Sequence, residues 1–498
     1  MAPIPVLRSR RSPRLSEVRN HMTRRNGAIV HAGDPHPVLT ADRLRSWTDR
    51  LAAGFRTVGI GPGDVIVADL PNSPAFVVTL HAAWATGAAF APMNPLLTPR
   101  EKRNIIDLVQ PRAILTSAEL APDEAAVPWP DPLSGPPEIG RSCVRSVVPG
   151  SAADTSDRLV LFTSGSTGKP KAVALTEANV SAGIDSVADH FALTEDDRTV
   201  AMLPWSHGHG LFASLLAPLH TGGTVVLPTP QQIQQPHQIM AAAEPTWLTL
   251  VPPQLELITG ALERSNETVP RMRFLRTASS PLPRALAERA ERLFRCCAVQ
   301  ALGMTETSHQ AAADTPTWDR RLGTVGGPTG GMQVRFSGED LLGGSELEVR
   351  GPGLFRCYLG DTEATAAAMT ADGWFRTGDI ATIEDSRIRL VTRLSEIVNR
   401  GGYKIAPAEV ETVLSQHPDV VGALVTGIDH PTLGQELVAV VVVRDGTTAG
   451  SRDLIRYCRP SLAGHKVPGQ IKLVQALPQL PNGKPSRRLA AELFKATA

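Results

Sequence analysis

Neither sign of charge predominates in this sequence: 50 lysines and arginines stand against 49 aspartates and glutamates over 498 residues. A chain so balanced has no global field that gathers polyanions, so neither nucleic acid nor an anionic membrane is its expected partner, and small molecules are. Cysteine is scarce. Cys143, Cys296, Cys297, Cys357 and Cys458 form no zinc-ligand spacing, and their odd number leaves one outside any disulfide set, so a reducing, cytoplasmic setting is expected. Long hydrophobic runs are missing as well. The most apolar stretch, residues 76–93, is broken by His81, Gly87 and threonines; it falls short of a membrane span and reads as a buried helix followed by a strand. The first 25 residues carry seven arginines, including the pair Arg10-Arg11, but no apolar segment follows. Export is therefore not expected, and the segment reads as a solvated arm or first helix. A fixed-period repeat of the solenoid kind is also lacking.

What is present is an alternation of strand-length apolar runs with helix-length amphipathic segments. Residues 64–70 read as a strand, 73–86 as a helix and 88–92 as another strand, and the rhythm recurs through 199–203, 211–220 and 224–227. That pattern predicts βαβ units and a layered α/β fold. Residues 119–158, rich in Pro, Ala, Asp and Ser, read as a long surface connection. After Leu390 the pattern becomes compact α+β, with residues 408–416 helical and 437–443 a strong strand. The chain is long for one core. The expected organisation is a large multi-layered N-terminal α/β domain over 1–393 and a small mobile C-terminal α+β domain over 394–498. The junction 391–396 reads equally as a hinge and as an ordinary strand exit.

One segment carries obvious chemistry. Phe162-Thr163-Ser164-Gly165-Ser166-Thr167-Gly168-Lys169-Pro170-Lys171 follows a strand-like run. Its glycines let the backbone turn N–H groups toward an anion, its hydroxyls add donors, and Lys169 and Lys171 add charge. The combination predicts a phosphate cradle. The spacing is not that of the Walker loop, which places four residues between its first glycine and Gly-Lys-Ser/Thr.

The segment resembles the signature loop of the adenylate-forming superfamily, which comprises acyl- and aryl-CoA ligases, peptide-synthetase adenylation domains and luciferases. Further motifs follow in that family's order. Ala278-Ser279-Ser280-Pro281 is similar to its adenine-side turn, and Gly303-Met304-Thr305-Glu306, preceded by Ala301 and Leu302, to its Gly-x-Thr-Glu loop. The stretch 372–379, ending in Asp379, resembles the ribose-binding segment, and Pro481-Asn482-Gly483-Lys484 the loop of the catalytic lysine. The resemblance implies ATP and Mg2+ as cofactors. Glu306 would be the Mg2+ ligand, with the Thr305 hydroxyl beside it reaching the α-phosphate. Asp379 would accept from the ribose hydroxyls, or else cap the turn after Gly378. Arg393 would bridge to phosphate or ribose and mark the hinge, and Lys484 would reach the acid carboxylate and the α-phosphate when the small domain closes. Asn399-Arg400-Gly401-Gly402-Tyr403-Lys404 resembles the segment that faces the active site during thioester formation, which implies CoA as co-substrate. The paired glycines permit close backbone approach there, and serve a tight turn equally well.

Four positions depart from the family pattern. Leu302 replaces an aromatic that stacks on adenine, Ala172 a glycine, Glu177 a histidine, and Ser395 a hinge Lys or Asp. None removes the acidic ligand or the lysine. The expected activity is therefore an AMP-forming ligase that converts an acid and ATP to an acyl-adenylate and passes the acyl group to CoA. The rivals are an amine or other non-CoA acceptor, including nitrite-activating diazotases, and a non-catalytic adenylate-binding protein. The acid is expected to be small and polar. The stretch 203–211, with His207 and His209, is similar to the acid-pocket border of oxalate–CoA ligases, and His309 brings another imidazole toward that cavity. Imidazoles donate to a second carboxylate or a nitrite oxygen and are poorly satisfied against an alkyl chain. The alternative is that His207 gates the pocket while His209 and His309 are structural.

Overall fold

Parallel strands joined by helices replace the apolar alternation almost residue for residue. In the computed structural model the described residues are 28–32, 37–117, 126–128, 135–138, 153–164, 170–229, 232–233, 235–265, 269–444, 446–479 and 485–495. The N-terminal arginines, most of the 119–158 connection, residues 165–169 and Lys484 lie outside them. Strands Val65–Asp69 and Ala89–Pro92 pair in parallel, with the helix Pro74–Thr86 as their crossover. Ser73 opens that helix by accepting the Phe76 amide, Pro74 stands at its first turn, and Gly87 closes it at φ 82°. Each residue is where its backbone demands it. Among the described residues no helix is long and apolar enough to cross a membrane.

The fold is mixed α/β with a large and a smaller compact unit. The larger comprises residues 1–334, 349–375 and 385–387; the smaller comprises 335–348, 376–384 and 388–498. In the larger unit a seven-stranded sheet runs in the order Cys357–Tyr358, Pro170–Thr176, Asp157–Ser164, Ala89–Pro92, Val65–Asp69, Ala113–Thr116, Ala126–Pro128. A five-stranded sheet sets Trp247–Leu250, Phe274–Thr277 and Cys297–Leu302 in parallel and continues antiparallel through Ala312–Ala313 and Gly327–Pro328. A four-stranded sheet orders Pro37–Leu39, Ala28–His31, Thr224–Leu227 and Arg198–Val200.

The smaller unit has its own core. Strands Val420–His430 and Gly434–Val443 form a long antiparallel pair, and the second is nearly continuous in apolar residues. Leu437, Ala439 and Val441 pack with Leu414 and Leu454, whereas Val438 and Val440 pack with Ala490 and Phe494. The alternate residues thus serve two faces, both covered by helices, which is why the strand does not alternate with polar residues.

One expected helix differs. Residues 211–220 read as a single α-helix, but the structure has a π-helix over His209–Leu216 followed by a short α-turn, Ala217–His220. The wider turn lets the chain start two residues earlier against a tight contact: a Cβ on Gly210 would lie 2.2 Å from the Pro204 carbonyl oxygen. Such π-turns concentrate at functional sites. The helix Pro99–Val109 opens on a capping box, in which Thr98 accepts the Glu101 amide and Glu101 accepts the Thr98 amide. Replacing Thr98 with Ala should cost about 1 kcal/mol, read as a lower urea midpoint at unchanged slope; an unchanged midpoint would show that the box contributes nothing.

Candidate active site

The phosphate-loop sequence is carried on a hairpin. Strand Asp157–Ser164 pairs antiparallel with Pro170–Thr176, placing Thr163 opposite Lys171 and Ser164 opposite Pro170. The loop residues Gly165, Ser166, Thr167, Gly168 and Lys169 lie outside the described residues. Strand Cys357–Tyr358 adds to the open edge of the hairpin, Tyr358 beside Val173. That register sets the Tyr358 ring under Lys171, whose Nζ is 4.5 Å from the ring centroid. The Tyr358 hydroxyl then donates to Glu306 Oε1 at 2.8 Å. Burial, with the Glu306 charge second, holds the phenol well above its ordinary pKa, so it stays a donor. Lys171 and Glu306 are thus joined through a tyrosine that the sequence motifs do not include.

The Glu306 loop is fixed from several sides. Thr305–Thr307 is one 3-10 turn at the end of strand Cys297–Leu302. Gly303 is required there, because a Cβ would meet the His309 carbonyl oxygen at 1.6 Å. The Phe355 amide donates to the Glu306 carbonyl, and Ser308 Oγ to the Gly353 carbonyl. Gly183, on the helix Glu177–His190, lets that helix approach Ser308, whose carbonyl would be 2.5 Å from a Cβ. Ser308 and His309 both take positive φ, 49° and 82°. Met304 and Thr305 are half-buried, while Ala301 and Leu302 are buried on the strand, opposite Ala313 and Ala312.

The expected histidines converge, and they do so on a residue the motifs passed over. His209 and His309 are buried and stack with centroids 5.0 Å apart. Arg276, in the middle of the buried strand Phe274–Thr277, has no exposed surface. Its Nη1 lies 2.9 Å from His209 Nε2 and 3.0 Å from Thr249 Oγ1; its Nη2 lies 2.8 Å from His309 Nε2 and 2.9 Å from Gln310 Oε1. Gln310 in turn donates to the Ser186 carbonyl. Among the described residues Arg276 has no carboxylate partner. Burial pushes its pKa down to about 9, which leaves it charged at neutral pH. His209 Nδ1 is 3.2 Å from Ser279 Oγ, in the adenine-side turn. Ala278 of that turn is buried, Ser280 half-buried and Ser279 exposed at φ 73°. His207, two residues before His209, is half-buried and is not among the hydrogen-bond partners of Arg276.

In the smaller unit the expected pair meets directly. Asp379 is buried on strand Phe375–Glu384, and Arg393, at the end of Arg387–Arg393, donates through Nε to its Oδ1 at 2.7 Å. Asp379 Oδ2 is buried without a hydrogen-bond partner among the described residues. A buried carboxylate oxygen left so is poised for donors from outside the protein, such as vicinal hydroxyls. Gly401 and Gly402, at φ 58° and 86°, form the two-residue turn between strands Val398–Arg400 and Tyr403–Ile405. Two left-handed residues are what such a hairpin needs, so the turn accounts for both glycines. Lys404 is exposed on the second strand.

The AMP-binding enzyme family pattern matches residues 18–359, and the pattern of the AMP-binding enzyme C-terminal domain matches 409–484. The chain belongs to the AMP-binding enzymes. It is similar to the oxalate–CoA ligase of Arabidopsis thaliana, at 32% identity over 92% of this chain and 93% of that one. The sulfoacetate–CoA ligase of Cupriavidus necator is 31% identical over 91% and 92%. The ATP-bound MatB of Rhodopseudomonas palustris shares the fold with a TM-score of 0.81 at 23% identity, over 96% of this chain and 99% of that one. This AMP-binding enzyme is of the adenylate-forming, acyl-CoA synthetase type.

The Asp379–Arg393 pair gives a pH prediction. Burial raises the Asp379 pKa, and the Arg393 charge and hydrogen bond oppose the rise. Removing the cation in Arg393→Met leaves burial unopposed, so more of the carboxyl is protonated at a given pH. The acid limb of kcat/KM for ATP should move up by about one pH unit. A profile with an unmoved acid limb would separate Asp379 from nucleotide binding.

Proposed function

We propose that the enzyme activates a small polar acid with ATP and Mg2+ and transfers the acyl group to CoA. A carboxylate oxygen of the acid attacks the α-phosphorus and the bond to pyrophosphate breaks. The CoA sulfur then attacks the acyl carbon, the bond to AMP breaks, and the thiol proton leaves to water. Because the carboxylate is already a nucleophile, the protein's tasks are in-line positioning and neutralisation of charge on the phosphates.

Residues of this chain fit those tasks. Glu306 is a hard oxygen ligand whose carboxylate is oriented by Tyr358, which suits Mg2+; the cation, when bound, offsets phosphate charge. Thr163, Ser164 and Lys171 flank the loop that would receive the β- and γ-phosphates, and Thr305 is beside Glu306. Asp379, through its unpartnered Oδ2, would accept from the ribose. Lys484 would serve the carboxylate and the α-phosphate, moving with a C-terminal domain that begins at residue 394. Gly401, Gly402 and Lys404 would border the approach of CoA.

The observation that carries the choice of acid is the imidazole pair on a buried cation, since His209 and His309 backed by the Arg276 charge are poor neighbours for an alkyl chain and good ones for a second anionic group. The named activities of two relatives, on oxalate and on sulfoacetate, support the same class. ATP–pyrophosphate exchange over a panel of acids should therefore be supported by oxalate, malonate or sulfoacetate and not by hexanoate or cinnamate, with CoA consuming the adenylate. A preference for the apolar acids would sink the polar-pocket reading, and consumption by an amine instead of CoA would replace the acceptor. In the same assay Lys484→Ala should lower exchange by about a hundredfold or more, a loss of the size seen for single groups that contact the transition state.

A further inference from the structure

The five N–H groups of Arg276 have a definite consequence for the imidazoles around them. A guanidinium only donates. The ring nitrogens facing it, Nε2 of His209 at 2.9 Å and Nε2 of His309 at 2.8 Å, are therefore placed as acceptors without a proton, and the Thr249 hydroxyl, 2.8 Å from His209 Nε2 and accepting from Nη1, has its own hydrogen to give to that nitrogen. In a neutral imidazole the proton is then on Nδ1. For His209 that proton points at Ser279 Oγ, 3.2 Å away, so the serine oxygen accepts and its own hydrogen is turned onward. Ser279 is exposed, whereas Arg276 has no accessible surface at all. The chain of donors thus runs one way, from a buried cation to a surface hydroxyl. For His309 the Nδ1 side lies against Gly303, 3.4 Å from where its Cβ would stand, which is the start of the loop that carries Glu306.

We infer that Arg276 is a positioning residue for the acid: it locks His209 and His309 as neutral, Nδ1-protonated imidazoles and orients the Ser279 hydroxyl, so that the substrate's second anionic group meets outward-pointing donors backed by a buried positive charge. The inference rests on the proposed function for the identity of the acid, but not for the tautomers. Several neighbours of the pair among the described residues carry no charge. Thr249, Gln310 and Phe212 are neutral, and Gln310 is held by the Ser186 carbonyl. On the helix Glu177–His190, His190 faces the Asp314 carbonyl and Arg276 holds its pKa down, after burial. The Asp314 carboxyl itself accepts from Thr324 and lies 3.5 Å from Arg387. Glu306, three residues before His309, is engaged by Tyr358.

Polarised donor chains of this kind are directional because reversing any one link would leave a donor facing a donor. They also specify charge. An anion in line with the chain gains from every link, whereas an uncharged group of the same size gains one hydrogen bond.

The test uses the full-length enzyme labelled with 15N-histidine. In the wild type, two imidazoles, assigned by their loss in His209→Asn and His309→Asn, should show an unprotonated Nε2 and stay neutral where an ordinary histidine gains its second proton. In Arg276→Met the same two should titrate. Kinetically, Arg276→Met should raise KM for oxalate and sulfoacetate by roughly tenfold to a hundredfold, the worth of a charged hydrogen-bond set. KM for propanoate should change by less than about threefold, and Arg276→Lys should restore part of the difference. Protons on Nε2 in the wild type would overturn the inference, and so would equal losses for oxalate and propanoate. Should Arg276→Met not fold, the wild-type spectra decide alone. If no small anionic acid supports exchange while the two tautomers stand as described, the proposed acid class fails and the locking of the imidazoles survives.

Discussion

A guanidinium without exposed surface stands where four segments of the larger unit meet. Arg276 comes from a central strand, Thr249 from the neighbouring strand, His209 from the π-helix and His309 with Gln310 from the Glu306 loop. Burying an unpaired cation costs several kcal/mol even after relaxation, and here neutral acceptors rather than a carboxylate meet that cost. Every donor must then be satisfied, so each of the four segments is held in place by the same group. The π-turn at His209 and the left-handed pair Ser308-His309 are local conformations that this set requires, since both bring an imidazole nitrogen within 3 Å of the guanidinium.

The order of the motifs and most of the fold were legible in the sequence because they depend on local spacing. The helix at residues 73–86 is written in Ser73, Pro74 and Gly87, and the strand after it in a run with no polar residue. His209 and His309 were legible as chemistry-bearing residues near loops already recognised. Arg276 and Tyr358 were not. Arg276 acts through neighbours 27 to 67 residues away, and Tyr358 reaches a glutamate 52 residues before it because a short strand adds to the edge of the hairpin formed by Asp157–Ser164 and Pro170–Thr176. One signal was available: an arginine between Leu275 and Thr277, in an apolar strand and without a nearby carboxylate in sequence, is an expensive residue to bury.

The π-helix shows why a periodicity argument fails where it does. Leu211, Phe212, Leu215, Leu216 and Leu219 fit a 3.6-residue stripe, and all are buried. A segment buried on every side loses the polar face that would reveal its true pitch, so the sequence pattern cannot distinguish the α-turn from the wider one. The decisive information is in Gly210, whose missing side chain admits the Pro204 carbonyl.

Some of the backbone strain in the described residues lies beside the buried charge. Ser279, Ser308 and His309 are non-glycine residues in the left-handed region, each at a cost on the order of 1 kcal/mol. Two of them belong to the loop after Glu306 and one to the turn after Arg276. Such conformations persist only where surrounding contacts over-determine them, and those contacts are present: Gly303 and Gly183 leave room for the 308–309 backbone, Gly353 accepts from Ser308, and the guanidinium holds His309. The Arg276 set therefore does more than fill a core. It helps hold the loop after Glu306 and the turn after Arg276 in left-handed conformations, which makes the donor geometry a property of the fold.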